Sequence, residues 1–190
     1  MVYGIKPFRL TVITGPMNSG KSKRLIDIVN KEDIQYRYVA SKDVGLNNNP
    51  YIHSRDGRKI NAVSIDSIDM LIDILQIRNI HNTTILVDEV QFIDDYNNIS
   101  RLIEYLVQHD VSMYVGGLDL DSDNCSFMTT AVFMCYATSV VKLTNRCDCG
   151  RETKVSKYIN KTTTKRNKID VGQDKYKGVC YPCYFGGIDV

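Results

Sequence analysis

Apolar and polar positions follow one another along the chain in a pattern that predicts strands and helices in alternation. Short apolar runs predict buried strands at Phe8–Thr14, Tyr36–Ala40, Thr83–Asp88 and Val111–Gly116. Helices are predicted at Gly20–Lys31 and where apolar residues recur at i, i+3, i+4 and i+7, which are Ile68, Leu71, Ile72 and Leu75, then Ile99, Leu102, Ile103 and Leu106. The alternation indicates an α/β fold with a mostly parallel sheet, whose ligands bind beyond the carboxyl ends of the strands.

Composition and charge divide the chain into two parts. Its 190 residues are 43% hydrophobic and 24% charged, which excludes a disordered or fibrous protein. The net charge of +2 is too balanced to favour a nucleic-acid or membrane-surface binder. Residues 146–178, however, hold ten Lys/Arg against four Asp/Glu. We therefore predict an α/β domain over 1–145 and a small C-terminal domain over 146–190.

The chain shows no sign of a targeting segment. No apolar run approaches the ~20 residues of a membrane span. The first apolar run, Leu10–Thr14, leads directly into a glycine motif and does not have the form of a secretory signal. We therefore expect a cytoplasmic protein. Disulfides are rare in that compartment, so the six cysteines need another explanation.

The residues from Gly15 to Ser22, Gly-Pro-Met-Asn-Ser-Gly-Lys-Ser, fit the phosphate-binding pattern G-x-x-x-x-G-K-[ST]. Glycines let the backbone curl so that successive N–H groups point at phosphate oxygens. The N-terminus of the following helix adds positive partial charge, Lys21 reaches the β- and γ-phosphates, and the Ser22 hydroxyl ligates Mg²⁺. The pattern predicts a P-loop that binds ATP with Mg²⁺.

A second motif supports the phosphate site. The apolar strand residues Ile85–Val87 are followed by Asp88 and Glu89, the form of a Walker B segment. Asp88 is predicted to hold Mg²⁺, directly or through water, which leaves Glu89 to act as a base. Two N-K-x-D stretches, Asn30–Asp33 and Asn167–Asp170, match the guanine-reading motif of GTPases, but neither follows an apolar strand and the chain has no D-x-x-G. A GTPase is therefore disfavoured.

Four cysteines form two close pairs, Cys147-x-Cys149 and Cys180-x-x-Cys183, with 30 residues between them. Four thiolates from two short turns can surround one Zn²⁺ tetrahedrally, and such a closed site is structural rather than catalytic. We therefore predict structural zinc, although the first pair has one intervening residue where two are usual. Zinc would tie both ends of the polar, basic segment between the pairs, which then forms a long loop able to cover a ligand.

These motifs, together with three further stretches, resemble the type II (cytosolic) thymidine kinase family of animals, bacteria and DNA viruses. The stretches are Asp88-Glu89-x-Gln91-Phe92, Ser139–Thr144 and Asp174-Lys175-Tyr176-x-x-Val179-Cys180-x-x-Cys183-Tyr184. The resemblance implies transfer of the γ-phosphoryl group of ATP to the 5′-hydroxyl of thymidine. It also implies a P-loop sheet with a zinc-tied, lasso-like loop, in a tetramer or dimer without membrane or nucleic-acid partners.

The resemblance assigns an expected role to each matching position. Lys21 would neutralise the transferring phosphoryl group, and Glu89 would be the general base on the 5′-hydroxyl. The expected ATP-binding residues are Gly15, Pro16, Met17, Asn18, Ser19, Gly20, Lys21, Ser22, Asp88 and Gln91. The expected thymidine-binding residues are Asp43, Phe92, Leu118, Ser122, Phe127, Ile169, Asp170, Val171, Gly172 and Tyr176. Within these sets, Gln91 and Asp43 match positions near the acceptor sugar and phosphate, and Met17, Phe92, Leu118, Phe127 and Tyr176 match the walls of the base pocket.

Three departures from the family pattern affect the expected site. Asn18 stands where the family generally has Phe, and Gly45 stands where it has an arginine near the phosphates. Ser122 replaces an aromatic residue that would stack on thymine. We expect the phosphate chemistry to be intact and thymidine binding to be weaker than in a typical member.

Two other functions are open from the residues alone. A zinc-ribbon ATPase stimulated by nucleic acid would place the basic segment Arg151–Lys168 on the phosphodiester backbone and would use Glu89 to orient water. A kinase for another small alcohol would share the P-loop without needing the zinc-tied loop. The ATPase would respond steeply to salt and nucleic acid, whereas a nucleoside kinase yields a nucleoside monophosphate.

Overall fold

The computed structural model describes residues 8–41, 50–159 and 176–186. Besides two short 3-10 helices, Val90–Phe92 and Tyr96–Asn98, these ranges contain ten strands and five α-helices. In chain order they are β1 (Leu10–Thr14), α1 (Lys21–Glu32), β2 (Tyr36–Ala40), β3 (Tyr51–His53), β4 (Lys59–Asn61), β5 (Val63–Ile65), α2 (Ile68–Ile77), β6 (Thr84–Asp88), α3 (Ile99–Gln108), β7 (Ser112–Gly116), α4 (Met128–Tyr136), β8 (Ser139–Lys142), β9 (Val155–Tyr158), β10 (Tyr176–Val179) and α5 (Tyr181–Phe185).

Six strands form one parallel sheet in the order β5-β2-β6-β7-β1-β8. The predicted α/β fold is therefore confirmed, because the sheet is parallel and helices pack on both of its faces. The order places β7 between β6 and β1. The carboxyl ends of these three strands consequently meet at the middle of one sheet edge, where the P-loop leaves β1 and the acidic pair leaves β6.

Helices cover both faces of the sheet, because successive apolar side chains of β1 point to opposite faces and both are buried. Val12 belongs to a cluster with the buried faces of α2, α3 and α4, whereas the next residue, Ile13, packs with Leu25 and Ile26 of α1 on the other face. The four apolar positions predicted for α2 and three of the four predicted for α3 are buried, and Ile103 of α3 is partly buried. The helical spacing thus identified both core-facing surfaces.

The sequence pattern did not predict β5, β8 and α4. Helix α4 buries the polar residues Thr129 and Thr130 beside Phe133 and exposes Met128 and Tyr136, so its apolar residues do not form one face. The Thr129 hydroxyl donates to the carbonyl of Ile93, which offsets the cost of its burial. Strand β8 pairs only with β1 at the sheet edge and is mostly exposed, and β5 has three residues, so neither has a buried-strand pattern.

Beyond the sheet, β9 and β10 form an antiparallel pair with its own small apolar cluster. The cluster contains Val155, Val179 and three buried cysteines, and Leu120 and Tyr184 pack against it. It is separate from the two clusters that flank the sheet. This separation supports the proposed division near residue 145, which stays a prediction. Among the helices of the described ranges, none combines the length and apolar character needed to cross a bilayer.

Candidate active site

The loop after β1 forms a tight turn that encloses the Lys21 ammonium. Gly15 has φ +138°, and a Cβ there would overlap the carbonyl oxygen of Leu143, so only glycine fits. Gly20 caps the N-terminus of α1 with φ 87°. The Lys21 ammonium lies inside this turn and donates to the carbonyl oxygens of Gly15 and Pro16, each at 3.0 Å. The predicted P-loop therefore has the strand–loop–helix setting that its chemistry requires.

The fourth residue of this loop, Asn18, adopts the left-handed conformation with φ 67°. Asparagine tolerates that region far better than bulky residues do, which gives a backbone reason for the departure at this position. The side-chain oxygens of Asn18 and Ser19 are buried, and no hydrogen-bond partner for them lies among the described residues. Two such atoms in a ring of backbone amides fit a loop that closes around phosphate.

The C-terminal segment holds the P-loop from outside. The Met17 amide donates to the Ser156 hydroxyl of β9 at 2.9 Å. The Asn145 side-chain amide donates to the carbonyl oxygen of Asn18 at 3.1 Å. The loop is therefore fixed by residues more than 120 positions away in sequence, for which no sequence motif gave a signal.

The acidic pair at the end of β6 is held in a special geometry. Asp88 is buried, and one of its carboxylate oxygens accepts the Glu89 amide at 2.9 Å. Glu89 has φ 59°, a left-handed conformation that is uncommon for a residue with a long side chain and turns the chain sharply after the strand. The Gln91 amide group donates to the Glu89 carboxylate, and its carbonyl oxygen accepts the Leu118 amide at 3.1 Å. Gln91 thus links the predicted base to the segment that follows β7.

Strand β7 ends at two glycines, Gly116 and Gly117, where it lies between β6 and β1. A Cβ on Gly116 would overlap Oδ1 of Asp88 and Cδ1 of Leu25, and a Cβ on Gly117 would lie 2.8 Å from a methyl carbon of Val90. The Asp88 carboxylate occupies the notch above Gly116. The bare end of β7 therefore lets the acidic end of β6 approach the P-loop across the intervening strand.

Burial shifts the pKa values of Lys21 and Asp88 in opposite directions. Burial lowers the pKa of the Lys21 ammonium from its ordinary value, and the carboxylates of Glu89 and Asp88 oppose this shift. Burial raises the pKa of the Asp88 carboxyl, and the negative charge of Glu89 adds to the rise, while a hydrogen bond from the Ser22 hydroxyl opposes it. The hydroxyl of Ser22 and the carboxylate of Asp88 are thus adjacent hard oxygen donors, the ligand type that Mg²⁺ prefers.

Residues of the P-loop, α1, the turn between β3 and β4 and the ends of β6 and β7 line one cavity of about 310 Å³. They are Met17, Asn18, Gly20, Lys21, Ser22, Lys23, His53, Ser54, Arg55, Asp56, Glu89 and Leu118. Seven of them are predicted site residues. Sequence reasoning missed residues 53–56 because a short hairpin turn carries no motif, and only the fold brings it to the P-loop.

The other predicted thymidine-binding residues are distributed around this cavity or outside it. Phe92 packs against the main core and lines a separate depression with Asp66 and Asp94. The Ser122 carbonyl accepts the Tyr184 hydroxyl at 2.8 Å, which places it beside α5. Phe127 caps α4 and Tyr176 opens β10. Asp43, Gly45, Ile169, Asp170, Val171 and Gly172 lie outside the described residues. All these assignments stay predictions.

The four paired cysteines come together in space. The sulfur atoms of Cys147, Cys149, Cys180 and Cys183 all lie within 4.8 Å of one another, and those of Cys149 and Cys180 are 3.5 Å apart. A tetrahedral zinc site with Zn–S bonds of about 2.3 Å needs sulfur separations of about 3.8 Å. The cluster therefore fits the geometry of a four-thiolate zinc site and could hold zinc, despite the short spacing of the first pair.

A family model described as thymidine kinase matches residues 8–184. The chain belongs to the thymidine kinase family. It is 29% identical to a thymidine kinase of Pseudothermotoga lettingae, an alignment that covers 93% of this chain and 94% of the relative. It is 32% identical to a Sheeppox virus thymidine kinase, over 92% of this chain and 95% of the relative. A Mycoplasma mobile thymidine kinase is 29% identical over 94% of this chain and 88% of the relative.

Membership of the thymidine kinase family makes this chain an ATP-dependent nucleoside kinase, a transferase. The resemblance inferred from the motifs is thereby confirmed. The comparisons support the nucleoside-kinase prediction and give no support to the nucleic-acid-stimulated ATPase.

The cysteine cluster generates a prediction about metal content. Cys183→Ser removes one thiolate of the cluster, so we expect it to lower bound zinc and to loosen β9 and β10, while the sheet keeps its separate core. Elemental analysis measures the zinc, and hydrogen exchange of the strand amides measures the local loosening. Cys125→Ser is the matched control, because Cys125 is exposed and outside the cluster. Finding no zinc in metal-replete wild-type protein would refute the assignment.

Proposed function

We propose that this chain transfers the γ-phosphoryl group of ATP to the 5′-hydroxyl of thymidine and releases thymidine monophosphate and ADP. One observation carries the proposal: Lys21 and Ser22 of the P-loop share a single cavity with Glu89, the predicted base. We also place the protein in the cytoplasm, as a tetramer or dimer, because the family to which it belongs has these properties.

The phosphate end of the cavity suits the γ-phosphoryl donor. The P-loop amides and the N-terminus of α1 would bind the phosphate oxygens of ATP, and the buried Lys21 ammonium would turn from the carbonyl oxygens of its own loop towards the γ-phosphate. Ser22 and Asp88 would hold Mg²⁺, which when bound neutralises the charge on the β- and γ-phosphates. The Lys21 ammonium is thus already inside the P-loop and needs only to reorient when ATP binds.

The acceptor end of the cavity suits a primary alcohol. Such an alcohol has a very high pKa, so its proton needs a positioned acceptor as the new O–P bond forms. Glu89 would take the proton of the 5′-hydroxyl while the bond from the γ-phosphorus to the bridging oxygen of ADP breaks. Its left-handed backbone and the hydrogen bond from Gln91 fix the carboxylate at the cavity wall. The base is therefore held by the fold rather than by the substrate.

Apolar groups beside Glu89 suit a nucleobase. Met17 and Leu118 line the same cavity. The Leu118 amide donates to the Gln91 side chain, and this hydrogen bond connects the proposed nucleobase pocket to the proposed sugar contact. We assign the remaining walls to the predicted residues Phe92, Ser122, Phe127 and Tyr176. Asp43 and the segment 169–172 complete the proposed thymidine site.

The experiment that tests this function is transfer of label from γ-labelled ATP to each deoxynucleoside, with Glu89→Gln as the diagnostic variant. Glutamine keeps the shape of the side chain and removes the proton acceptor, so we expect kcat to fall by ~10²–10⁴-fold. ATP affinity should change little, because Glu89 does not belong to the P-loop. Label that appears only in inorganic phosphate would contradict the proposal, and near-full kcat in Glu89→Gln would contradict the assignment of the base.

A second prediction concerns the missing aromatic residue. A ring at residue 122 is expected to stack on thymine, and aromatic pairs contribute about 0.5–1.5 kcal/mol beyond the burial of their area. Ser122→Phe should therefore lower KM for thymidine by roughly 2- to 12-fold with little change in kcat. The contact from Tyr184 uses the backbone carbonyl of Ser122, so the substitution leaves it in place. Steady-state kinetics with varied thymidine measure the effect, and an unchanged KM would count against it.

A further inference from the structure

The turn between β3 and β4 holds Arg55 at its tip in a defined conformation. The Gly57 amide donates to the Ser54 carbonyl at 3.1 Å, and the Ser54 amide donates to the Arg58 carbonyl at 2.8 Å. Residues 54–57 thus form a four-residue turn whose last residue, Gly57, lies in the left-handed region with φ +86°. The second position of such a turn accepts most residue types, so the turn itself does not require an arginine at residue 55.

The hairpin is anchored beside the P-loop helix. Ile52 is buried in the cluster formed by α1, and Ile60 packs against the same cluster. Arg58 binds Asp27 of α1 at 2.6 Å and Asp56 of the turn at 2.8 Å. These contacts place the tip of the hairpin in the wall of the cavity that Lys21 and Ser22 also line. Arg55 is therefore carried by a docked element rather than by an isolated loop.

Two charged residues of the hairpin tip, Arg55 and Asp56, line the cavity. Asp56 is paired with Arg58, whose guanidinium holds the pKa of that carboxyl well below its usual range. Arg55 and Lys21 both line this cavity, so their positive charges face the same space. Two cations that face one cavity repel each other, and this cost is offset when a polyanion binds between them.

We propose that Arg55 binds the phosphate chain of ATP from the hairpin side of the cavity and stabilises the charge on the transferring phosphoryl group. A guanidinium offers a planar fork of donors that matches phosphate oxygens, and it stays charged at any physiological pH. The inference rests on the proposed function, because it names a further group at the same reacting phosphate. Arg55 would also supply the cation that the sequence lacks at Gly45.

The test compares Arg55→Ala and Arg55→Lys with Lys59→Ala in the full-length protein. Lys59 lies on the same hairpin and outside the cavity lining, with its ammonium 4.8 Å from the centre of the Tyr51 ring, so its variant matches the loss of one positive charge. Loss of one preorganised group that stabilises transition-state charge typically costs ~10²–10³-fold in kcat. We expect a loss of about this size in Arg55→Ala, a smaller loss in Arg55→Lys and wild-type rates in Lys59→Ala.

Two further readouts separate a phosphate contact from a structural role. Added guanidinium ion should restore part of the activity of Arg55→Ala and none of that of Glu89→Gln, and KM for thymidine should change little. Arg55→Ala within about threefold of wild-type kcat would overturn the inference. A lowered melting temperature without guanidinium rescue would overturn it as well.

The binding of a non-hydrolysable ATP analogue distinguishes this inference from the proposed function. If wild-type protein binds the analogue but transfers no label to thymidine, the proposed function fails. Weaker binding of the analogue to Arg55→Ala than to Lys59→Ala would then still support the contact between Arg55 and phosphate, and equal binding would refute it.

Discussion

The contact between the Asp88 carboxylate and the bare backbone of Gly116 is the constraint on which the catalytic centre depends. Because β7 lies between β6 and β1, any side chain at the end of β7 would stand between the acidic pair and the P-loop. Glycine removes that obstacle, and the buried Asp88 carboxylate accepts a hydrogen bond from the Ser22 hydroxyl. This pair of residues thus brings the carboxylate of β6 to the edge of the sheet where we propose that phosphates and Mg²⁺ bind.

A second dependence joins the phosphate site to the cysteine cluster. The Ser156 hydroxyl that accepts the Met17 amide belongs to β9, and β9 pairs with β10, which leads directly into Cys180. The cluster packs against Leu120 and Tyr184, and Tyr184 binds the carbonyl of Ser122. A metal at the cysteines would therefore stabilise the backbone at Met17 of the P-loop and at Ser122.

Features that depend on residues close together in the chain could be predicted from the sequence, whereas features that depend on contacts between distant residues could not. The motifs that contain Lys21, Ser22 and Asp88 each span only a few residues, so their spacing was enough to predict the phosphate-site roles that we propose for these residues. Helix α4 was missed because Thr129 and Thr130 are buried through a backbone hydrogen bond and through packing, not through hydrophobicity. Arg55 and Ser156 reach the site only through tertiary docking of two hairpins, so no periodicity or motif could identify them.

The measurement that tests this account most directly is γ-phosphoryl transfer to thymidine by Gly116→Ala, made alongside a melting curve that establishes folding. The added methyl group would overlap the Asp88 carboxylate and Leu25, so these side chains must shift, and we expect the carboxylate to move away from Ser22. We predict a loss of at least ~10²-fold in kcat from a protein that still unfolds cooperatively. Near wild-type kcat in the folded variant would contradict the account, because the site would then not depend on the bare end of β7.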